Sequence, residues 1–236
     1  MSLDEWTGAS PESPVAYNFK KPWGVRGRLA PLSFIFYERV QDMIVSLVNF
    51  HIASGRILDP TCSDEDIQFK HKWWKEQKFY QIVKSDMRKT KIVDVQCSVF
   101  ALPYKSSSFN GIVYDPPFLS YVSEGKGDPR AKLYGQMPEL TQEAVFSLYG
   151  QTVYDEFARV LVRGGILIVR GQDTYSPKGS DTLLPFMEFA NGYRERFICV
   201  GLYVFRGSNP NLNGMRRMMR KPLSNFSYFL TLRKVK

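Results

Sequence analysis

Asp115, Pro116, Pro117 and Phe118 follow directly on the apolar run Gly111-Ile112-Val113-Tyr114, so a buried strand is expected to end in a stiff turn carrying one acid and one aromatic ring. Each proline fixes its own φ and drives the residue before it toward extended geometry. The Asp115 carboxylate and the Pro116 carbonyl can then point the same way and accept both hydrogens of an exocyclic amino group. An amine on adenine is a poor nucleophile because its lone pair is delocalised into the ring. Acceptors aimed at its two hydrogens return electron density to the nitrogen. Phe118 offers a stacking face for the planar base. A plain strand-ending turn accounts for the same four residues, since Asp and Pro are common there, so the surrounding elements must decide between the two.

Those elements alternate. Phe36, Val40, Ile44, Leu47 and Val48 recur at helical spacing and predict an amphipathic helix within Leu32 to Phe50. Strands are expected over Arg56–Asp59, Phe79–Val83, Lys91–Val95 and Gly111–Tyr114. A helix over Phe146 to Val162 should stop at Arg163-Gly164-Gly165, before a buried strand Ile166–Val169. Phe197–Phe205 and Tyr228–Leu232 close the chain as an antiparallel, hairpin-like edge. The order is that of a mostly parallel α/β sheet.

The length of 236 residues and 44% hydrophobic content suit one core. Residues 1–28, with Pro11, Pro14, Pro22, Gly24 and Gly27 among polar residues, read as an N-terminal arm. Residues 29–236 read as a single domain. A net charge of +9 favours an anionic partner, with nucleic acid first. No stretch is long and apolar enough to span a membrane. The beginning Met1-Ser2-Leu3-Asp4-Glu5 has no basic region leading into an apolar one. Cys62, Cys97 and Cys199 form no CxxC pair, which argues against a disulfide framework and a zinc site. His51 and His71 lie in no metal or nucleophile pattern. The chain reads as intracellular and metal-free.

In open α/β sheets ligands sit beyond the carboxyl ends of the strands, where strand order reverses. Asp59 ends the first expected strand and Asp86 follows the second. Asp86 is placed to accept hydrogen bonds from ribose hydroxyls; a cap or turn role is open for each acid. At this point the chain resembles the S-adenosylmethionine-dependent amino methyltransferases of the Rossmann-like class, in the branch that modifies the N6 amino group of adenine in DNA or RNA. The resemblance rests on LDPTC at 58 to 62, Asp86, ALPYKSSSFNGIVYDPPF at 101 to 118 and RVLVRGGILIVRGQD at 159 to 173, with a weaker match at 225 to 229. It implies a class I methyltransferase fold: a mostly parallel seven-stranded sheet with an antiparallel edge strand and helices on both faces. It implies S-adenosylmethionine as cofactor, with Asp59, Pro60, Thr61 and Cys62 near its methionine part, Asp86 on its ribose and Ser98 at the border of its adenine. It further implies that Asp115 and Pro116 hold the target amine, that Pro117 stiffens the turn and that Phe118 stacks on the base. One departure stands out: Ser63-Asp64-Glu65-Asp66 occupies the place of the family's glycine-rich turn. Glycine is missing there, where backbone would need to approach the cofactor closely.

Arg216, Arg217, Arg220 and Lys221 form a short basic stretch suited to phosphates, and Lys20, Lys21, Arg26 and Arg28 form a second group in the arm. A solvated basic loop is the other reading of each. Residues 120–136, with Gly125, Gly127, Pro129 and Gly135, resemble a substrate-ordered lid. Trp73 and Trp74 are read as core residues in preference to a stacking platform. The leading expectation is adenine-N6 methylation of nucleic acid, with RNA, cap-proximal positions included, ahead of DNA because the compact basic chain has no large separate recognition domain. The alternatives are N2-guanine methylation of RNA and a noncatalytic nucleic-acid-binding subunit.

Overall fold

The computed structural model describes residues 40–62, 78–116, 142–175, 183–206 and 226–235. Its sheet is built from β1 (Gly55–Asp59), β2 (Tyr80–Asp86), β3 (Val95–Gln96), β4 (Phe109–Tyr114) and β5 (Leu161–Gly171). Thr174–Tyr175 and Leu183–Leu184 form a separate two-stranded pair, β6 and β7. The main sheet is completed by β8 (Phe197–Arg206) and β9 (Phe226–Lys234). Its seven strands run in the order β3-β2-β1-β4-β5-β9-β8. Neighbouring strands from β3 to β5 are parallel. The expected antiparallel edge is the β8–β9 pair, in which β9 runs against both β5 and β8.

Alternation along each strand divides the core between two faces. Leu58, Ile112, Tyr114, Leu167, Val169, Leu230 and Leu232 share one cluster with Val153, Tyr154 and Phe157. Those last three belong to a helix, Gln151–Val160. The intervening residues Ile57, Val113, Ile166 and Ile168 are also buried, so the opposite face is covered too. The first helix, α1 (Val40–His51), buries Met43, Ile44, Leu47 and Val48. Ile52, just beyond it, presses against Gly111 on that second face, where an added Cβ would have no room. Burying both faces turns the strands into near-continuous apolar runs.

Three local expectations change. The helix expected over Phe146 to Val162 is two, α2 (Gln142–Ser147) and α3 (Gln151–Val160). Between them the amides of Leu148, Tyr149 and Gly150 bond the carbonyls three residues back, at 3.0–3.2 Å. That tightening ends a helix. Gly192 of the 3-10 turn Asn191–Tyr193 sits so close to Gly150 and Gln151 that a Cβ would meet the Gln151 nitrogen at 2.8 Å, so the break is also a packing site. The stop expected at Arg163-Gly164-Gly165 comes earlier: Leu161 is already extended, at φ −76° and ψ 142°. Gly164, at φ +76°, instead serves an irregularity in β5, where the pairing moves from Phe109↔Leu161 to Gly111↔Ile166. The strand expected over Lys91–Val95 shrinks to Val95–Gln96, because Asp94 meets Lys84 locally: its carboxylate accepts the Lys84 amide at 2.9 Å, and its own amide bonds the Lys84 carbonyl. A final short helix, α4 (Phe186–Phe189), packs Phe186 against Gly171.

Candidate active site

Strand order reverses between β1 and β4, the point at which open α/β sheets leave a crevice beyond their carboxyl ends. Asp59 and Asp115 end or follow those two strands. Register gives the direction of their side chains. Tyr114 is paired with Val169, so Asp115 lies across from Arg170, and Arg170 is paired with Phe229 on its other side. By the alternation of each strand, Asp59 follows Ile57, Asp115 follows Val113 and Arg170 follows Ile168 onto the face that α1 covers. Ser227 follows Phe229 in the same way. Asp86 joins them, because Ile57 pairs with Ile82 and Asp59 with Lys84.

The centre of this edge is an ion pair. Arg170 Nη1 lies 3.2 Å from Asp115 Oδ1 and 3.1 Å from Oδ2, and Arg170 Nη2 donates to Ser227 Oγ at 3.2 Å. The guanidinium also stands over the Phe229 ring, 6.0 Å from its centroid. Both partners keep a path to solvent, with side-chain exposures of 19% for Arg170 and 18% for Asp115. The Asp115 amide donates to Thr61 Oγ1 at 3.0 Å, which ties the acidic corner to the turn after β1. The next residue, Cys62, is buried and donates its amide to the Ser85 carbonyl of β2 at 3.0 Å. One run of hydrogen bonds therefore fixes three strand ends relative to one another.

On the β2 side of the switch point, Asp59 is fully buried and Asp86 nearly so. Asp86 Oδ1 accepts from the Arg88 amide at 2.8 Å and from Arg88 Nε at 3.2 Å, while its carbonyl accepts from the Cys97 amide. Ser98 Oγ caps the following turn by accepting the Phe100 amide at 3.2 Å. Phe100 is 42% exposed, an apolar ring presented just after the short third strand. An acid at the end of β2 with an open aromatic ring nearby suits a nucleoside, with ribose hydroxyls on the acid and the base on the ring. The described residues thus fit the adenosine half of S-adenosylmethionine.

A second charged pair braces the segment that leads into β4. Arg159 Nε and Nη2 meet Glu156 Oε2 and Oε1 at 2.8 and 2.6 Å, and Nη1 and Nη2 reach the carbonyls of Tyr104 and Leu102 at 2.6 and 2.8 Å. Glu156 Oε1 accepts the Leu102 amide at 2.7 Å. The Arg159 hydrogen bonds hold the Glu156 carboxyl below its usual range. The Leu102-Pro103-Tyr104 stretch is in this way clamped to α3. On the far side of β5, Tyr149 donates its hydroxyl to the Arg170 carbonyl at 2.9 Å. Burial pushes that phenol well above its ordinary range, so it remains a donor. Asp173 accepts from Tyr228 Oη and the Phe186 amide, both at 2.8 Å.

The sequence-predicted residues Asp59, Thr61, Cys62, Asp86, Asp115 and Pro116 are thus gathered along one sheet edge, with Pro116 buried and Pro60 in the turn after β1. Ser98 lies in the turn after β3, bridged to Ala101. Pro117, Phe118, residues 63–66, Trp73, Trp74, residues 120–136, Arg216, Arg217, Arg220, Lys221 and the arm at 1–28 lie outside the described residues. Arg170 and Ser227 were missed. A lone cation closing the apolar run Ile166–Val169 was the signal for the first, and the weaker match at 225–229 contained the second. Among the described residues no cluster of three His, Cys, Asp or Glu could hold a metal ion. None of the described helices is long and apolar enough to cross a membrane.

Comparison with known proteins gives a fold. The crystal structure of the [4+2]-cyclase SpnF matches with a TM-score of 0.50 and 16% identity, over 86% of this chain and 84% of that one. The Burkholderia thailandensis 1,6-didemethyltoxoflavin-N1-methyltransferase, solved with 1,6-didemethyltoxoflavin and S-adenosylhomocysteine, matches at 0.50 and 12% identity, over 84% and 80%. No protein-family model and no curated protein matches the chain. The chain therefore has the Rossmann-like methyltransferase fold. One of these two neighbours is named for a cyclisation and the other for a methyl transfer, so the reaction has to be argued from the site.

Proposed function

We propose that this protein is an S-adenosylmethionine-dependent methyltransferase that modifies the N6 amino group of adenine in nucleic acid, with RNA, including cap-proximal positions, ahead of DNA. The observation that carries the reading is the position of Asp115: a partly exposed carboxylate beyond the carboxyl end of β4, beside the strand-order reversal, on the same face as Asp59 and Asp86. The S-adenosylhomocysteine in a neighbour of the same fold and the fit of Asp86 and Phe100 to a nucleoside support the cofactor. When bound, S-adenosylmethionine supplies an electrophilic methyl group on a sulfonium.

This chain's own residues then have defined tasks. Asp59 and the Pro60-Thr61-Cys62 turn shape the methionine end, Asp86 takes the ribose, and Ser98 with Phe100 borders the adenine. Asp115 and the Pro116 carbonyl accept the hydrogens of the target amine, and Asp115 is the nearest acceptor for the proton the alkylated nitrogen must lose. Phe118 stacks on the base, and Arg216, Arg217, Arg220 and Lys221 hold phosphates. The base must leave its stack to reach this edge, a cost of a few kcal/mol in a duplex that a single strand largely avoids. The chain's net charge of +9 suits the single strand. One observation favours a second reading, a noncatalytic subunit that binds nucleic acid: Arg170 contacts both oxygens of the carboxylate that should receive the amine.

The test is incubation with radiolabelled S-adenosylmethionine and matched single-stranded RNA, capped RNA, single-stranded DNA and duplex DNA, followed by nucleoside identification. Label in N6-methyladenosine is expected. Label in N2-methylguanosine would move the target to guanine, and failure to bind labelled cofactor with nucleic-acid binding retained would favour the subunit.

A further inference from the structure

We infer that Arg170 is a base-reading residue, and that with Asp115 it selects amines standing next to an unprotonated ring nitrogen. The inference rests on the methyl-transfer reading above and sharpens its substrate class.

The geometry of the pair is the argument. A guanidinium and a carboxylate in their strongest arrangement meet as two parallel N–H to O contacts, one nitrogen for each oxygen. Here a single nitrogen, Nη1, serves both oxygens, at 3.1 and 3.2 Å, and Nη2 turns away to Ser227 Oγ. The two groups lie side by side, each about one-fifth exposed, as an acceptor and a donor presented together at the sheet's edge. An amine beside a bare ring nitrogen carries the matching donor and acceptor. If such an edge enters, one shared N–H to carboxylate contact is exchanged for two: amine to Asp115 and Nη1–H to ring nitrogen. Phe229 beneath the guanidinium and Ser227 on its flank keep Arg170 in position while this happens.

The pattern excludes as well as selects. Adenine N6 has ring acceptors beside it, and cytosine N4 has one. The guanine amine has a ring N–H on its Watson–Crick side, which would set donor against donor at Arg170, and a bare N3 only on its sugar-edge side, so guanine is disfavoured where the Watson–Crick edge leads. The shared chemistry is an amidine-like edge, and adenine and cytosine are its two sources in nucleic acid.

The experiment uses the full chain and short single-stranded RNA with one central target: adenine, 1-deazaadenine, 7-deazaadenine, cytosine or guanine. Each is assayed with the parent and with Arg170→Gln, and cofactor binding is measured separately by calorimetry. For the parent, one deaza substitution is expected to reduce kcat/KM at least tenfold, and guanine to react more slowly than adenine. For Arg170→Gln, adenine is slowed while the adenine-to-deazaadenine ratio falls toward one, which separates recognition from the lower intrinsic reactivity of the analogue. The adenine and cytosine arms distinguish the two sources. Parent activity with an unchanged deaza ratio in the variant overturns the inference and leaves the methyl-transfer reading intact. Absence of transfer to every target, with cofactor bound, overturns both.

Discussion

Among the arginine–carboxylate pairs of the described residues, Arg159–Glu156 and Arg170–Asp115 are built differently. Arg159 and Glu156 sit one turn apart on α3 and meet as a fork at 2.6 and 2.8 Å, with the remaining contacts taken by the main chain of Leu102 and Tyr104. Arg170 and Asp115 come from adjacent strands and meet through one nitrogen at 3.1 and 3.2 Å, with a hydroxyl as the guanidinium's other partner. The first pair is locked to the backbone and functions as a brace. The second is longer, is shared through one atom and lies at the edge where ligands enter this fold. The difference shows that the kind of pair does not set its role; what else each partner holds does.

That contrast can be broken from either side. Of the two pairs, the larger effect on activity is expected at the edge: Arg170→Gln should lower kcat/KM on an adenine substrate by about ten- to a hundredfold, with a small change in melting midpoint, as read by steady-state kinetics and calorimetry on the same preparation. The brace should behave the opposite way. Glu156→Ala leaves the Leu102 amide and the Arg159 guanidinium without their carboxylate, a loss of about 2 kcal/mol and, for a chain of this size, a fall in midpoint of roughly 4–8 °C. At a temperature where the variant is still folded its base selectivity should match the parent's. A large selectivity change in Glu156→Ala, or a collapse of stability in Arg170→Gln, would erase the distinction.

A titrating group gives a finer control. His51 bonds Tyr203 Oη at 2.9 Å, and burial, then Arg233, lowers its pKa to about 4. The neutral ring is the folded form. Its contribution is present above the unfolded value of about 6.5 and is lost as pH falls through about 4. Because the ring is only partly buried, the loss should be on the order of 1 kcal/mol. Melting curves between pH 7 and pH 4 should fall less steeply for His51→Gln than for the parent. The smallest effect belongs to Arg196 and Asp155, which are 46% and 40% exposed despite a 2.6 Å contact. Asp155→Asn should leave the midpoint where it was, and a clear shift would mean that exposed pairs in this protein contribute more than solvent screening allows.

Much of this arrangement was legible in the chain because its signals are local. The apolar runs at 57–58, 111–114 and 166–169 announce strands buried on two faces, and the acids that follow the first two mark strand ends. The Arg163-Gly164-Gly165 signal was real but belonged to an irregular strand, because φ > 0 at Gly164 serves a bulge as readily as a helix stop. Gly192 packs against the break at Gly150 from a distance, a contact that no periodicity records. The Arg170–Asp115 contact follows from the register of two parallel strands and could not be read from either segment alone. Ser227 needed a third strand, running the other way, to arrive beside them.

The most direct test of the account compares the parent with Asp115→Ala, measuring S-adenosylmethionine binding by calorimetry and methyl transfer to single-stranded RNA by label incorporation. The account predicts cofactor affinity within a few-fold of the parent and transfer reduced more than a hundredfold, on the scale of removing a group that stabilises developing charge. Equal transfer by the two proteins would contradict it.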